Sequence, residues 1–367
     1  MDQTDTIPYS VLGFDNGKYL QIQKDHILDR IDKFREGKLY LEIGGKFMYD
    51  AHAARVLPGF DPEVKLQIFN SMKNLIEIMF CVNANDIRFN RQLKNSAEKY
   101  TDATLRMVKE LEEKTGVKPK IIINLCDREL SGIVLSYEKI AQEMGYQTFK
   151  RYKIDGYPDD TSRVLSEEGY GYDDHIPTSK KLILVMGAAS NSGKMSTCLG
   201  QIYLDKQKGE TSGYAKYETF PIWSLPIGHP VNLAYEAATA DIGDYNVIDT
   251  YHEIAYGKRS VNYNRDVEAF EIIKKMTESF LEPSNYMSSY RSPTDMGINY
   301  AGNAISNDQV VCVASLEEIR RRRGWYMEIF NRSEGDKDWI KKCENLEIQA
   351  LKYIREKGYN PEYRLLK

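Results

Sequence analysis

Short apolar runs alternate with segments in which apolar residues recur every three or four positions. The runs predict buried β-strands and cover residues 39–43, 77–82, 121–125, 148–154 and 181–186. The periodic segments are typical of amphipathic helices and cover residues 21–34, 62–75, 96–115, 133–144 and 195–208. A further strand is predicted over 213–223. This alternation predicts an α/β fold with a mostly parallel, doubly wound sheet and helices on both faces.

For two segments the sequence makes more specific predictions. The helix at 133–144 is expected to bury a stripe formed by Ile133, Tyr137, Ile140 and Met144. Residues 155–180 are rich in Gly, Tyr and acids, and such a long irregular segment is usually functional or mobile. The sequence leaves open whether this segment is a lid.

The pattern changes near residue 255. Helical stretches around 265–281 and 315–330 flank a polar loop, and 339–354 predicts an amphipathic helix that needs a partner surface. We therefore expect an α/β domain of the phosphate- or nucleotide-binding kind over residues 1–255. A smaller, mainly helical region is expected over residues 256–367.

Composition excludes several function classes. The 367 residues include 50 Lys and Arg against 54 Asp and Glu, which gives a net charge of −4. Nonspecific electrostatic binding of nucleic acid is therefore not expected. No apolar run approaches the ~18 residues of a membrane-spanning helix, and the first residues lack a signal-peptide pattern. A cytoplasmic protein without a membrane partner is expected. The five cysteines and five histidines are scattered, which predicts neither a disulfide framework nor a zinc site.

The strongest local signal lies at residues 187–197, GAASNSGKMST. A phosphate-binding P-loop reads GxxxxGK[ST] and lies between a strand and a helix, as this segment does in the predicted fold. Backbone N–H groups and the dipole at the helix start favour a phosphate, and Lys194 would reach its outer oxygens. The alternative interpretation is a glycine-rich turn with a solvated lysine.

The match to the P-loop motif is imperfect in two positions. Counted back from Gly193, the first motif position is Ala188, and Met195 stands where a hydroxyl normally binds magnesium. Ser196 or Thr197 would have to replace that hydroxyl from outside the motif's register. The segment still predicts ATP or another nucleotide with Mg²⁺ as cofactor, and a small phosphorylated molecule as partner.

Ligands of open parallel sheets bind beyond the carboxyl ends of the strands, which is where the remaining candidates lie. Phosphate or cofactor binding is predicted for Gly187, Ser190, Asn191, Ser192, Gly193, Lys194, Ser196, Thr197 and Lys46. Catalytic roles are predicted for Asp127, Asp86 and Lys194, with Asp127 the first candidate for a magnesium-binding acid. The alternative is that these are ordinary polar turns, since turns after strands are polar in any protein.

Two other features remain open from the residues alone. Lys216 and Glu218 lie two positions apart, so they face the same side of a strand and either contact substrate or form a surface salt bridge, of which the salt bridge is slightly favoured. His229 is either a general base or a structural histidine.

Several long blocks resemble an uncharacterised bacterial family known only as a domain of unknown function. These blocks are GKLYLEIGGK, DAHAARVLPGFDP, GYAKYETFPIW, HPVNLAYEAATAD, VNYNRDVE and SPTDMG. The resemblance runs from about residue 13 to about residue 330 and implies no established activity. It implies that relatives are longer and also have Met after the lysine of the loop, which argues against ordinary nucleotide hydrolysis.

Some members of that family carry the label ATP-dependent zinc protease. The metalloprotease signature HExxH requires two histidines one helical turn apart. The nearest match, residues 252–256 (HEIAY), lacks the second histidine. The residues therefore give no support to a protease.

Two functions stay open at this point. The first is an enzyme that binds a nucleotide or a phosphorylated small molecule and performs phosphoryl-transfer or ligase-type chemistry. The alternative is a noncatalytic protein: either a ligand-regulated binding protein, or an assembly subunit whose amphipathic C-terminal helix packs on another chain. A homo-oligomer is one form that such an assembly could take.

Overall fold

A parallel seven-stranded sheet runs through the computed structural model, which describes residues 5–35, 37–92, 98–189 and 191–366. The strands are β1 (Lys38–Ile43), β2 (Ile76–Asn83), β3 (Lys120–Cys126), β4 (Thr148–Tyr152), β5 (Leu182–Gly187), β6 (Ser212–Tyr217), β7 (Asn246–Ile248), β8 (Val261–Tyr263) and β9 (Gly297–Ile298). The strand order in the main sheet is β4-β3-β2-β5-β1-β6-β9, and each neighbouring pair is parallel. Strands β7 and β8 form a separate antiparallel pair.

Fourteen α-helices surround the strands in the described residues. They are α1 (Asn16–Lys33), α2 (Ala51–Val56), α3 (Val64–Asn70), α4 (Ala84–Phe89), α5 (Tyr100–Thr115), α6 (Gly132–Glu143), α7 (Thr161–Val164), α8 (Lys194–Gln207), α9 (Pro230–Ala238), α10 (Thr250–Tyr256), α11 (Asn264–Phe280), α12 (Pro293–Met296), α13 (Asp308–Asn331) and α14 (Lys337–Glu356). Among the described residues, none of these helices is long and apolar enough to cross a bilayer.

Helices cover both faces of the sheet. The hydroxyl of Tyr217 in β6 lies 2.9 Å from that of Tyr19 in α1. The preceding residue, Lys216, contacts Asp266 of α11, and consecutive strand residues point to opposite faces. The α/β fold with a doubly wound parallel sheet is thereby confirmed.

The sequence prediction for β6 is too long. The strand was expected to reach residue 223, but it ends at Tyr217. Pro221 follows a few residues later, and proline has no N–H to donate to a strand ladder. The residues after Tyr217 instead form a loop over the carboxyl edge of the sheet.

The C-terminal region is mainly helical, and its terminal helix has a partner surface within the chain. Helix α14 packs on α13 and α9 through Cys343, Leu346, Ala350 and Ile354, which are all buried. The two-residue strand β9 also comes from this half of the chain, yet it pairs with β6. The domain boundary near residue 255 stays a prediction.

The predicted stripe of helix α6 is wrong in three of its four residues. Ile133, Ile140 and Met144 are exposed, and only Tyr137 is buried. The helix instead buries a neighbouring face formed by Val134, Tyr137, Glu138 and Ala141. Apolar periodicity located the helix correctly, but packing selected a different face.

The segment 155–180 is packed against the sheet. The backbone N–H of Tyr152 in β4 donates to the Asp173 carboxylate at 2.7 Å, and Arg151 pairs with the same carboxylate at 2.8 Å. The N–H of Lys150 donates to Asp174 at 2.8 Å. The segment therefore covers the edge strand β4, as exposed strand edges in proteins often are.

Candidate functional site

Two asparagines at the ends of neighbouring strands hold the loop between β5 and α8 by hydrogen bonds to its backbone. Asn83 of β2 donates to the carbonyl of Asn191 at 3.3 Å, and Asn124 of β3 donates to the carbonyl of Ser192 at 2.8 Å. In a trans peptide the N–H points opposite to the carbonyl. The N–H groups of Ser192 and Gly193 therefore point away from the two asparagines.

Two glycines allow this loop to close onto the strand. Gly193 has φ +85°, and a Cβ at this position would lie 2.7 Å from Cγ of Asn124. A Cβ on Gly187 would lie 1.9 Å from Oγ of Ser192, which is buried without a hydrogen-bond partner among the described residues. Any larger residue at these two positions would displace the loop from the sheet.

The start of α8 carries positive electrostatic potential. The first N–H groups of a helix have no partner within it, and the dipole adds partial positive charge there. In the described structure α8 has no side-chain cap. Lys194, its first residue, is partly exposed and lies 3.8 Å from the Glu42 carboxylate. Helix start and cation together form a site suited to a phosphate group.

The loop does not offer a magnesium ligand in the usual position. Met195 has no hydroxyl, and Thr197 is fully buried. The Thr197 hydroxyl lies 2.9 Å from the Gly193 carbonyl and 3.1 Å from Oδ1 of Asn124, so it faces the sheet. These residues fit a phosphate but not a P-loop magnesium ion, and the expectation of ATP with Mg²⁺ stays a prediction.

The structure also places the two predicted catalytic acids, Asp127 and Asp86. Asp127 is half-exposed and pairs with Lys153 at 2.6 Å and Arg88 at 3.5 Å. The hydrogen bond from Lys153 holds the pKa of Asp127 below its ordinary value. Asp86 lies in α4, where partial burial raises the pKa of its carboxyl. Their roles stay predictions.

Three predicted ligand-binding residues remain to be placed. Lys46 is exposed, and its carbonyl accepts a hydrogen bond from Lys65 at 2.9 Å. The Ser196 carbonyl accepts one from Arg151 at 3.2 Å. Ser190 lies outside the described residues.

Beside Lys194, a buried cluster of charges extends across β1 and β6. Glu42 of β1 accepts a hydrogen bond from the Tyr214 hydroxyl at 2.8 Å and is paired in register with Lys216 of β6. Lys216 in turn lies 2.7 Å from Asp266 of α11 and 3.1 Å from Glu218. We call Glu42, Lys216, Glu218 and Asp266 the acidic cluster.

Lys216 is charged despite its burial. Loss of hydration opposes the charge, but Asp266 and Glu218 outweigh it and hold the pKa of Lys216 well above its ordinary value. The expectation that Lys216 and Glu218 share a face is confirmed, and their ion pair is buried rather than at the surface.

Glu218 is the member of the acidic cluster whose pKa lies near neutral pH. Its side chain is 6% exposed, and Oε2 is buried without a hydrogen-bond partner among the described residues. Burial raises the pKa of Glu218 to about 7, against the opposing effect of Lys216. A carboxyl that is half protonated near neutral pH is suited to general acid–base chemistry.

Sequence reasoning found Lys216 and Glu218 as a pair but missed Glu42 and Asp266 as their partners. Glu42 stands alone inside an apolar strand, where a charged residue is rare unless it is paired. That rarity was the one signal that could have found it. Asp266 lies in a dense polar group, VNYNRDVE, in which spacing does not single out any residue.

A second group of potential ligands surrounds His229. Nε2 of His229 lies 2.9 Å from Asp308 and 3.5 Å from Sγ of Cys312. These three side chains are of kinds that bind metal ions, and they lie close enough together to bind one. Nδ1 of His229, however, accepts the N–H of Val231 at the start of α9. The proton of the neutral ring is then on Nε2 and is donated to Asp308, which favours a structural role.

Comparison with known proteins places the chain in a family. Residues 12–351 match the family described as "Domain of unknown function DUF1846, N-terminal". The chain belongs to this family. The resemblance predicted from the sequence blocks is therefore confirmed.

Relatives in this family are longer than this chain. A UPF0371 protein of Streptococcus equi subsp. equi is 43% identical over 311 residues, which cover 85% of this chain and 62% of the relative. A UPF0371 protein of Streptococcus uberis is 40% identical over 353 residues, which cover 96% of this chain and 69% of the relative. The chain thus spans about two thirds of the length of these curated relatives. Neither description names a substrate or a reaction.

Proposed function

We propose that this member of the DUF1846 family binds the phosphate group of a small phosphorylated molecule at residues 187–194. The observation that supports this most is the uncapped start of α8 with Lys194 as its first residue, at the carboxyl edge of a parallel sheet. The N–H groups of Ser192 and Gly193 point away from the asparagines that hold the loop, and so they are available to phosphate oxygens.

The charge balance of the site supports an incoming anion. Lys194 has three N–H donors, and its contact with Glu42 is long, at 3.8 Å. The Lys194 ammonium therefore has N–H donors left for the oxygens of a phosphate. Because Glu42 and Asp266 each face a lysine, protonation of Glu218 leaves the site with no excess negative charge.

Glu218 favours an enzyme over a protein that only binds its ligand. A binding protein gains nothing from a buried carboxyl with an unpartnered oxygen, which costs about 1–3 kcal/mol of stability. An enzyme uses such a group to exchange a proton with bound substrate. The chemistry proposed is acid–base catalysis on the phosphorylated ligand, with no step that requires a metal ion.

A thermal-shift panel tests the proposed binding site. The ligands are inorganic phosphate, pyrophosphate, sugar phosphates and nucleoside triphosphates, each with and without Mg²⁺. The proteins are the wild type, Lys194→Ala, and Lys352→Ala as a matched control on the exposed surface of α14. A ligand present at about 100 times its Kd stabilises the protein by about 2.7 kcal/mol, and the melting temperature rises.

We expect the rise in the wild type and in Lys352→Ala but not in Lys194→Ala. An equal rise in Lys194→Ala, or no rise with any phosphorylated compound, would contradict the proposal. A rise confined to nucleotides in the presence of Mg²⁺ would instead restore the magnesium–nucleotide expectation.

A further inference from the structure

The carboxylate of Glu42 has one oxygen in use and one free. Oε2 accepts a hydrogen bond from the Tyr214 hydroxyl at 2.8 Å, which fixes the orientation of the carboxylate. Oε1 accepts no hydrogen bond within the described residues, yet it is not enclosed as Oε2 of Glu218 is. The Glu42 side chain as a whole is 8% exposed. Oε1 is therefore an oriented acceptor that a ligand can reach.

This free oxygen lies beside the proposed phosphate site. It is 3.8 Å from Nζ of Lys194, the first residue of α8. Asn83 and Asn124 hold the loop from the ends of β2 and β3, whereas β1, which carries Glu42, lies on the other side of β5. A small ligand whose phosphate contacts Lys194 therefore has Glu42 as its neighbour on the β1 side.

The charge of Glu42 decides what kind of group fits next to the phosphate. A carboxylate only accepts hydrogen bonds, and a second phosphate placed against it would face a like charge, which is costly. Lys194 lies close to Glu42, and Lys216 is its partner in register on β6, so the carboxylate does not lack a cation. The group that fits is a neutral donor, and a hydroxyl next to a phosphate ester is such a group.

We propose that the ligand of this site is a sugar or polyol phosphate, one of whose hydroxyls donates to Oε1 of Glu42. The inference rests on the phosphate site proposed above and adds a specificity-determining residue to it. In dinucleotide-binding folds an acidic side chain likewise binds a ribose hydroxyl. A phosphate ester without the hydroxyl would leave Oε1 unpaired in the complex, and sites built to bind a hydroxyl reject such analogues.

Titration calorimetry on the whole chain tests the inference with matched ligands. Propyl phosphate and glycerol phosphate differ only in their hydroxyls, and the phosphates of glucose, ribose and fructose represent the sugars. Inorganic phosphate reports binding of the phosphate alone. Phosphoethanolamine and pyrophosphate represent ligands that place a cation or a second anion beside Glu42.

Two variants complete the design. Glu42→Gln keeps the shape of the side chain and removes its charge. Glu138→Gln is the matched control, because Glu138 is also buried and paired with a lysine, Lys150, at 2.9 Å, but it lies in α6 and outside the acidic cluster.

We expect the wild type to bind at least one sugar or polyol phosphate about tenfold or more tightly than propyl phosphate, as a hydrogen bond to a charged group would provide. In Glu42→Gln this preference should fall to about threefold or less, because a neutral amide is the weaker acceptor. Its affinity for inorganic phosphate should stay the same or rise, since a negative charge beside Lys194 is removed. Glu138→Gln should keep the wild-type preference.

The outcomes separate this inference from the phosphate site on which it rests. Equal affinity of the wild type for propyl phosphate and for every hydroxylated phosphate would overturn the inference and leave the phosphate site intact, and this comparison requires no variant to fold. An unchanged preference in folded Glu42→Gln would contradict the role of Glu42. Tighter binding of phosphoethanolamine or pyrophosphate than of any sugar or polyol phosphate would overturn the choice of a hydroxylated ligand. If the wild type binds neither inorganic phosphate nor any ester, the phosphate site and this inference fail together.

Discussion

At the scale of single residues, the candidate site depends on two positions that tolerate little change. Gly193 adopts a left-handed conformation against Asn124, which glycine reaches without the strain that other residues would have. Glu218 keeps a carboxylate oxygen in the interior without a partner among the described residues, which lowers stability. An unpaired buried group of this kind is often part of a functional site.

The titration of Glu218 should be visible in the pH dependence of stability. Its pKa in the folded protein is about 7, above the ordinary value of 4.5. The charged form therefore costs stability, and the cost is absent below about pH 4.5 and complete above about pH 7. We expect the melting temperature of the wild type to fall relative to that of Glu218→Gln as the pH rises from about 5 to about 8.

Glu253→Gln provides the control for that measurement, because Glu253 is a surface residue. Its melting temperature should follow the wild type across the same pH range. A constant difference between wild type and Glu218→Gln would show that Glu218 does not titrate near neutral pH, and would remove the acid–base proposal.

Alanine at position 193 should lower the free energy of unfolding, because the backbone of Gly193 lies close to the Asn124 side chain. Gly193→Ala places a Cβ in a left-handed conformation and within 3 Å of three Asn124 side-chain atoms. Gly209→Ala has the same backbone strain, at φ +75°, but open space around the Cβ. We expect a loss of about 1–2 kcal/mol for Gly209→Ala from conformation alone, and a clearly larger loss for Gly193→Ala.

Urea unfolding of both variants measures the two losses. Equal losses would mean that Asn124 yields without cost, so that the loop is not pressed against the end of β3. The comparison is informative because both glycines flank the same helix, α8.

At the scale of elements, the sequence predicted what local pattern controls and failed where packing decides. Strands β1, β2, β3 and β5 are mostly apolar, because both of their faces are covered, and all four were located from the sequence. Strand β9 has two residues, too short for any periodicity. Helix α6 was located, but the geometry of its neighbours chose its buried face.

Helix α14 shows the same contrast between pattern and packing. Its amphipathic pattern was evident in the sequence, but its partner was not. The structure supplies α13 and α9 as that partner, so the pattern does not require a second copy of the chain. A homo-oligomer stays an untested expectation.

Truncation of one buried side chain in α14 tests this packing. Leu346 is 4% exposed and Ile348 is 65% exposed. We expect Leu346→Ala to reduce the free energy of unfolding by about 2–5 kcal/mol, as for other buried leucines, and Ile348→Ala to change it by less than about 0.5 kcal/mol. Chemical denaturation measures both, and similar losses in the two variants would contradict the packing described for α14.

At the scale of the whole molecule, a buried carboxylate joins the helical region to the first part of the chain. Glu318 of α13 contacts Arg55 at 2.9 Å and His52 at 3.1 Å, both in α2. Burial opposes its charge, but Arg321, His52 and Arg322 hold the pKa of Glu318 well below its ordinary value. The neutral form is therefore the costly one.

Neutralising Glu318 should destabilise the protein as a whole. Removal of one partner from a buried ion pair typically costs about 3–5 kcal/mol, which we expect for Glu318→Gln. Glu317→Gln is the neighbouring control, since Glu317 forms only a surface pair with Arg320 and should change stability by at most about 1 kcal/mol. Denaturant unfolding near neutral pH makes the comparison, and equal effects would mean that the buried contacts do not link α2 to α13.

The candidate site was predicted only in part, for a physical reason. Residues 187–194 have a local motif, because the proposed phosphate site is formed by one turn and one helix start. The acidic cluster joins residues from β1, β6, the following loop and α11, which are distant along the chain. Only the folded sheet brings Glu42 beside Lys216, so the spacing that pointed to Lys216 and Glu218 could not reveal Glu42 or Asp266.

The most direct test of the central claim is a ³¹P NMR titration of pyrophosphate and a sugar phosphate with wild type, Lys194→Ala and Lys352→Ala. We predict a saturable change in the phosphorus signal with wild type and Lys352→Ala, and none with Lys194→Ala, because the proposed site contacts the phosphate through Lys194 and the start of α8. An undisturbed signal with folded wild type, or the same change with Lys194→Ala, would contradict phosphate binding at this loop.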